Sequence, residues 1–225
     1  MTIKFFNDPE RLWKLFTLML DGAGVTLSIF FLTLVFSVPL GMLVAQGRMS
    51  RRRLVRAPLS FYIYIMRSTP LMLQIMFIYF LLPQVLPFRV DRFWAVIFAF
   101  VINYAAYFAE IFRSGIMSID KGQMEAGRSL GLNYLKTMWF VIAPQVLKNV
   151  LPTLANEFIT LLKETSVAGY VAVSDLTFAG NRIRGVTYSP FMPLIAVAII
   201  YLILVMFLTR MVGKLERRLR QGDNR

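Results

Sequence analysis

The hydrophobic positions of this chain fall into long, nearly uncharged runs rather than into the short alternating patterns of a soluble domain. Five of these runs are candidates for membrane-spanning helices, because about 20 apolar residues in a helix cross the hydrocarbon of a bilayer. The second run is interrupted by Arg67 and Pro70, and the fourth is less apolar than the others. We predict an all-α integral membrane protein with five transmembrane helices, at residues 25–45, 59–82, 93–112, 146–162 and 191–212.

Composition supports a membrane location for most of the chain. Of its 225 residues, 57% are hydrophobic and the mean hydropathy is +0.62, whereas soluble domains are about 45–50% apolar. The chain has no Cys and no His. This excludes disulfides, Cys/His zinc sites and His-based catalytic triads. We expect a single domain over residues 1–225, without a metal or catalytic site.

Basic residues lie between the apolar runs and are shared unevenly between alternate loops. Fifteen Lys and Arg residues follow the first and third spans or lie in the C-terminal stretch from Arg210 to Arg225, and seven lie in the N-terminal segment and the other two loops. Since cytoplasmic loops carry the excess of Lys and Arg, we predict an outside N-terminus and a cytoplasmic C-terminus. The predicted outer N-terminal segment is 1–22, the cytoplasmic loop is 113–136 and the cytoplasmic tail is 213–225.

Polar residues follow one face of the fourth span, at intervals of three or four positions. An ionised side chain at the centre of a membrane helix costs about 2.5–3.5 kcal/mol, so this face should meet water, a partner or a substrate. The second and third spans carry weaker polar stripes. We predict a shared substrate pathway lined by Glu157, Asn156, Thr160, Arg67, Gln74, Asn103, Lys163 and Glu164.

The same stripes also fit helix packing and local ion pairs. For Glu110 in the third span, an ion pair with Arg113 one turn away is favoured over a role in transport. For Glu157, the deepest charge of the fourth span, the pathway interpretation is slightly favoured. The segment 165–190 after this span fits either a short helix over the pathway or a plain loop.

The loop between the third and fourth spans contains signals for two short helices. Asp120 followed by Gln123 predicts a capping box that opens the first helix, and Gly131 can end that helix in the left-handed conformation. Asn133 can open the second helix, which is expected to run as far as Pro144, where the missing N–H breaks regular structure. On these signals alone, an ordinary cytoplasmic loop is an equal alternative.

The same loop resembles the EAA loop of ABC importer permeases. The pattern of that loop is Glu-Ala-Ala, three residues, Gly, nine residues, then Ile-x-Leu-Pro. This chain keeps the spacing from Glu125 to Pro144, with Gly127 for the second Ala, Val141 for Ile and Ala143 for Leu. Further stretches are similar to the polar-amino-acid branch of that family, at residues 67–71, 109–115, 156–158 and 162–166.

This resemblance implies the type I ABC importer permease fold with five core helices and a cytoplasmic coupling helix at 126–132. It also implies a partner permease, in a homodimer or a heterodimer, a cytoplasmic ABC ATPase dimer and an extracytoplasmic solute-binding protein, in a bacterial inner membrane. The residues that it assigns to ATPase coupling are Glu125, Ala126, Gly127, Arg128, Ser129, Leu130, Gly131 and Leu132.

The chain is therefore expected to provide the pathway for a polar amino acid, with basic ones included, by alternating access. No Gly-x-x-x-x-Gly-Lys-Ser/Thr phosphate loop occurs in the sequence, so we expect no cofactor here, and ATP and Mg²⁺ on the partner ATPase. An ATP-independent secondary transporter or channel is the alternative, although no internal repeat supports it. A membrane enzyme is a weaker alternative, because no nucleophile and base accompany the carboxylates.

Overall fold

The computed structural model describes residues 9–85 and 91–221, and every regular element in these ranges is helical. The predicted positions at 1–8, Arg89 and 222–225 lie outside the described residues. The α-helices are α1 Pro9–Arg48, α2 Arg53–Ser68, α3 Leu71–Met76, α4 Leu82–Val85, α5 Arg92–Met117, α6 Lys121–Ser129, α7 Tyr134–Thr137, α8 Ala143–Glu164, α9 Leu176–Thr187 and α10 Met192–Gln221. Two π-helical turns, Phe77–Leu81 and Met138–Ile142, and a 3₁₀-helix, Thr165–Val171, connect some of them.

Three helices of the described chain, α1, α5 and α10, are long and apolar enough to cross a membrane. The pair Arg53–Ser68 and Leu71–Val85 adds a fourth if it forms one broken span. The predicted fourth span lies in α8, whose 22 residues correspond to about 33 Å. Its polar stripe keeps α8 below the hydropathy of the other spans, so the count of five remains a prediction.

The first span differs from its expected boundary, and the second span contains an interruption that the sequence predicts. Helix α1 begins at Pro9, well before residue 25, so the described part of the predicted outer segment is already helical. The second span is interrupted at Thr69 and Pro70, so the predicted interruption at Pro70 is confirmed, whereas Arg67 lies within α2. Thr69 adopts an extended conformation, with φ −116° and ψ 143°, because a residue before proline avoids the helical region.

The helices form two compact units. The first combines described residues of 9–35, 70–101 and 159–208, and the second those of 36–69, 102–158 and 209–221. A hydrophobic cluster stabilises the first unit. It consists of Met19, Ala23, Leu176, Ile183 and Val197, which come from α1, α9 and α10.

The second unit is held together by close backbone approach and by aromatic packing. A Cβ atom on Gly41 of α1 would lie 2.7 Å from Phe108 Cβ and 3.1 Å from the Ala105 carbonyl oxygen of α5. Small residues of this kind allow membrane helices to pack closely. The ring of Phe108 meets that of Phe158 on α8 edge to face, with centroids 5.9 Å apart, so α1, α5 and α8 form the frame of this unit.

The segment 165–190 is structured. The 3₁₀-helix Thr165–Val171 follows α8 directly, and α9 then covers Leu176–Thr187. The segment is therefore helical rather than a plain loop, and its position over the pathway stays a prediction. Asp175 caps α9 by accepting a hydrogen bond from Phe178 N at 2.8 Å, and Thr26 Oγ1 accepts one from Leu176 N at 3.2 Å.

Candidate coupling loop and polar cavity

The loop after α5 folds as two short helices with the predicted caps. Asp120 Oδ1 accepts a hydrogen bond from Gly122 N at 2.6 Å at the start of α6. Asn133 Oδ1 accepts one from Lys136 N at 2.9 Å at the start of α7. Gln123 does not complete the predicted capping box, since its Oε1 accepts a hydrogen bond from Gln145 Nε2 at 3.2 Å.

Gly131 ends α6 in the left-handed conformation, with φ +84°, as predicted. The turn is closed by two backbone bonds, from Leu132 N to the Gly127 oxygen at 3.1 Å and from Gly131 N to the Arg128 oxygen at 3.0 Å. Such bonds satisfy carbonyl groups left open at a helix end. The helix itself covers Lys121–Ser129, so the predicted coupling segment 126–132 comprises its last turns and the turn that follows.

The expected break at Pro144 is wrong. The chain continues from α7 through the π-helical turn Met138–Ile142 into α8, and Pro144 is the second residue of that helix. Proline is tolerated in the first turn of a helix because the N–H of that turn has no intrahelical partner. The wider π turn directly before it provides the change of hydrogen-bonding register.

The predicted coupling residues divide into a buried contact and an exposed surface. Gly127 is buried, and a Cβ atom there would lie 2.5 Å from Thr137 Cγ2 of α7. Leu132 is half-buried. The exposed members present both charged and apolar groups, and Leu130 is 84% exposed. They are Glu125, Ala126, Arg128, Ser129, Leu130 and Gly131.

A polar cavity of about 570 Å³ lies in the second unit. It is bordered by the end of α1, one face of α2 and the middle of α5. Arg67 of α2 stacks on Tyr107 of α5, with its guanidinium carbon 5.3 Å from the ring centroid. The lining residues are Arg48, Ser60, Ile63, Tyr64, Arg67, Ser68, Tyr107 and Glu110.

Glu110 forms the predicted ion pair with Arg113, which is therefore confirmed. Arg113 Nε donates to Glu110 Oε2 at 3.0 Å, and Arg113 Nη2 donates to Oε1. This two-pronged geometry is the strongest form of an arginine–carboxylate pair. Arg48 Nε lies 3.8 Å from the same Oε2, so Glu110 also links α1 to α5.

Comparison with known proteins identifies the family. Residues 37–221 match the family described as binding-protein-dependent transport system inner membrane component. The chain belongs to this family. The prediction that it is an ABC importer permease is thereby confirmed.

Curated relatives of this permease cover almost its whole length. It is 38% identical over 205 residues to the arginine transport system permease protein ArtQ of Bacillus subtilis, covering 91% of this chain and 94% of that protein. It is 36% identical over 214 residues to the glutamine transport system permease protein GlnP of Escherichia coli K12, covering 95% and 98%.

Solved structures show the same fold. A crystal structure of an amino acid ABC transporter with histidines has a chain 38% identical to this permease, with a TM-score of 0.86 over 94% of this chain and 98% of that one. The methionine ABC transporter MetNI in an inward-facing form superposes with a TM-score of 0.75 at 19% identity, over 94% and 99%. The permease has the predicted type I ABC permease fold.

The structure separates the predicted pathway residues of the permease. Arg67 lines the polar cavity, whereas the buried Asn103, 2% exposed, donates from Nδ2 to the Met66 carbonyl oxygen at 3.0 Å and so joins α5 to α2. Asn156 and Glu157 of α8 belong to the same unit but do not line this cavity. Gln74, Thr160, Lys163 and Glu164 belong to the first unit.

Sequence reasoning missed Arg48 as a cavity residue, because it was assigned to the cytoplasmic basic cluster. For the α2 side of the cavity the sequence does contain a signal, because Ser60, Tyr64, Arg67 and Ser68 follow the spacing of one helical face. The contribution of α1 depends on tertiary packing, which that spacing does not specify.

Proposed function

We propose that this chain is the pathway-forming subunit of an ATP-driven importer of polar amino acids, cationic ones included. The observation that carries the proposal is full-length similarity to permeases named for arginine and glutamine transport. The coupling loop supports it, because its two short helices match the EAA-like segment of the sequence. Together they favour an importer over an ATP-independent transporter.

Because the sequence has no phosphate-binding loop of the Gly-x-x-x-x-Gly-Lys-Ser/Thr type, ATP hydrolysis is assigned to a partner. The proposed assembly contains two permease subunits, identical or different, a cytoplasmic ABC ATPase dimer that binds ATP and Mg²⁺, and a solute-binding protein outside. The exposed end of α6, with Leu130 beside Arg128, supplies apolar and charged groups for docking on the ATPase. In this proposal ATP binding closes the ATPase pair, and α6 transmits the movement to the spans.

Substrate recognition is assigned to the polar face of α8. Asn156, Glu157 and Thr160 lie within about one helical turn of one another, and Glu157 is half-buried. A carboxylate there suits the ammonium or guanidinium group of a cationic amino acid, since charged hydrogen bonds are about twice as strong as neutral ones. Arg67 is the candidate partner for the α-carboxylate group.

The test is uptake by the complete importer in proteoliposomes containing Glu157→Gln. Loss of one hydrogen bond to a charged group corresponds to about 10- to 100-fold in affinity, so uptake of arginine or lysine should fall by that factor. Uptake of glutamine should change much less, because it carries no side-chain charge.

Glu216→Gln provides the matched control, because it makes the same chemical change on α10 outside the predicted pathway. It should leave both uptake rates unchanged. Unaltered affinity and uptake of cationic amino acids in Glu157→Gln would remove this carboxylate from the proposed site. Uptake that proceeds without ATP would instead favour the secondary transporter.

A further inference from the structure

The polar cavity carries more positive charge than its own carboxylate can neutralise. Glu110 is the acidic residue in the lining, and both of its oxygens already accept hydrogen bonds from Arg113. Arg48 approaches Oε2 only to 3.8 Å, beyond hydrogen-bonding distance. The lining therefore holds two guanidinium groups, from Arg48 and Arg67, and a single carboxylate, which pairs with Arg48 at 3.8 Å and accepts hydrogen bonds from the guanidinium of Arg113 outside the lining.

Arg67 is the better oriented of the two. No carboxylate lies within ion-pair distance of it in the described parts of the chain, and its guanidinium group rests on the Tyr107 ring at 5.3 Å. Among the described residues no hydrogen bond engages the N–H groups at the edge of the Arg67 guanidinium, so they are available to a ligand. That edge is the part that binds a carboxylate or phosphate through two parallel hydrogen bonds.

Hydroxyl groups extend this donor set along the same helix. Tyr64 and Ser68 line the cavity on either side of Arg67, at a spacing that places all three on one face of α2. Both hydroxyls can donate to an oxyanion. A volume of about 570 Å³ leaves room for more than a single ion, so a carboxylate or phosphate group attached to a larger molecule fits.

We propose that this cavity is a binding site for an oxyanion, held by Arg67 and Arg48 with the hydroxyls of Tyr64 and Ser68. Two sources supply that chemistry. One is the α-carboxylate group of an amino acid in transit, a source that rests on the proposed function. The other is the phosphate of an anionic phospholipid headgroup, which basic residues beside membrane helices attract and which is independent of the transported substrate.

The first experiment measures thermal unfolding of the purified importer complex in detergent, with inorganic phosphate and glutamine as separate probes at constant ionic strength. Phosphate should raise the unfolding temperature of the wild type. In Arg67→Gln the concentration needed for the same shift should increase about tenfold or more, as expected for a lost charged hydrogen bond. Arg67→Lys, which keeps the charge but not the two-pronged geometry, should lie between them.

Arg56→Gln is the matched control, because it removes the same charge from an exposed position of α2 that does not line the cavity. Its phosphate response should equal that of the wild type. A parallel glutamine response, weakened in Arg67→Gln but not in Arg56→Gln, would identify an amino acid carboxylate as an occupant.

The second arm tests the lipid source. Native mass spectrometry of the complex, extracted from membranes that contain phosphatidylglycerol, should show retained anionic lipid in the wild type and Arg56→Gln. Retention should fall in Arg67→Gln and Arg48→Gln if the headgroup is the occupant. A response in either arm supports the oxyanion site and names its source.

The proposal is overturned if Arg67→Gln and Arg56→Gln behave alike towards phosphate, glutamine and lipid. It is also overturned if Arg67→Lys binds phosphate as well as the wild type while Arg67→Gln and Arg56→Gln are equally impaired, since that pattern reports general charge. Amino acid uptake by wild-type proteoliposomes is recorded separately. Its absence would count against the proposed function and would leave the phosphate and lipid comparisons intact.

Discussion

Among single residues, Asp175 has the most unusual environment, because its carboxyl group is fully buried in the segment between α8 and α10. Oδ1 accepts the hydrogen bond that caps α9, whereas Oδ2 has no hydrogen-bond partner in the described chain. Burial raises the pKa of this carboxyl group from 3.8 to about 6, and the hydrogen bonds from the start of α9 offset this only in part. Asp175 should thus be partly protonated in mildly acidic conditions.

The sign of the stability change follows from the raised pKa. Between about pH 4 and 6 the folded protein holds a proton on Asp175 that the unfolded chain releases. The free energy of unfolding should therefore decrease as pH rises through this window, by about 3 kcal/mol in total from this group. Asp175→Asn keeps a capping oxygen but does not titrate. Its free energy of unfolding should therefore change less with pH between 4 and 6 than that of the wild type, and should be higher than that of the wild type at pH 7.5.

Thermal unfolding of the wild type and of Asp175→Asn in detergent across this pH range measures the difference in the pH dependence of their stability. Asp120→Asn is the control, because it alters an exposed cap of the same kind. Parallel pH profiles for the wild type and Asp175→Asn would show that Asp175 does not titrate in this window.

Sequence reasoning did not select Asp175, for a physical reason. An acidic residue before an apolar helix is normally an exposed cap. Here two glycines allow burial: a Cβ atom on Gly22 of the distant helix α1 would lie 2.8 Å from the Asp175 carbonyl oxygen, and one on Gly169, six residues before Asp175, would lie 2.6 Å from Oδ1. The approach of these backbones is a tertiary feature. By contrast, the Glu110–Arg113 pair was predictable, because both partners belong to one helix.

Among the helical elements, the coupling loop was the most predictable, since caps are local. Asp120, Gly131 and Asn133 each act within a few residues of their own position, and each performs the expected role. The π turn before Pro144 was not predictable, because a capping pattern does not specify a change in hydrogen-bonding register. Nor does it specify the packing of α6 on α7.

That packing gives a prediction for Gly127, the position where the EAA pattern has its second alanine. In Gly127→Ala the new methyl group would meet Thr137 Cγ2 at 2.5 Å, and Thr137 is fully buried. Overpacking of this kind costs about 1–3 kcal/mol. We expect lower substrate-stimulated ATPase activity of the assembled importer and a lower unfolding temperature.

Thr137→Ser removes the clashing methyl group and keeps the hydroxyl that donates to the Asn133 carbonyl oxygen at 3.0 Å. The double variant Gly127→Ala/Thr137→Ser should therefore recover most of the lost activity. Thr137→Ser alone serves as the control. If Gly127→Ala is as active and stable as the wild type, or if the double variant is no better than the single one, the contact does not position α6.

For the whole molecule, the arrangement across the membrane depends on α8. Fold and family were predictable because apolar runs and the EAA-like spacing are long-range patterns that survive in the sequence. The exact number of crossings was not, since the polar stripe of α8 lowers its hydropathy. If α8 crosses, the coupling loop and α9 lie on opposite sides of the membrane, and if it does not, they share one side.

The absence of cysteine from the chain makes this arrangement directly measurable. Leu130→Cys and Tyr188→Cys place single thiols at positions that are 84% and 89% exposed, one before α8 and one after it. Because Lys and Arg residues favour the cytoplasmic side, a membrane-impermeant maleimide should label Tyr188→Cys in intact cells and Leu130→Cys only in inverted vesicles, which are prepared without the ATPase subunit because Leu130 belongs to its proposed docking surface. Wild-type protein, without thiols, is the blank. Labelling of both variants from the same side would show that α8 does not cross, and the five-span arrangement would have to be abandoned together with a membrane-embedded Glu157.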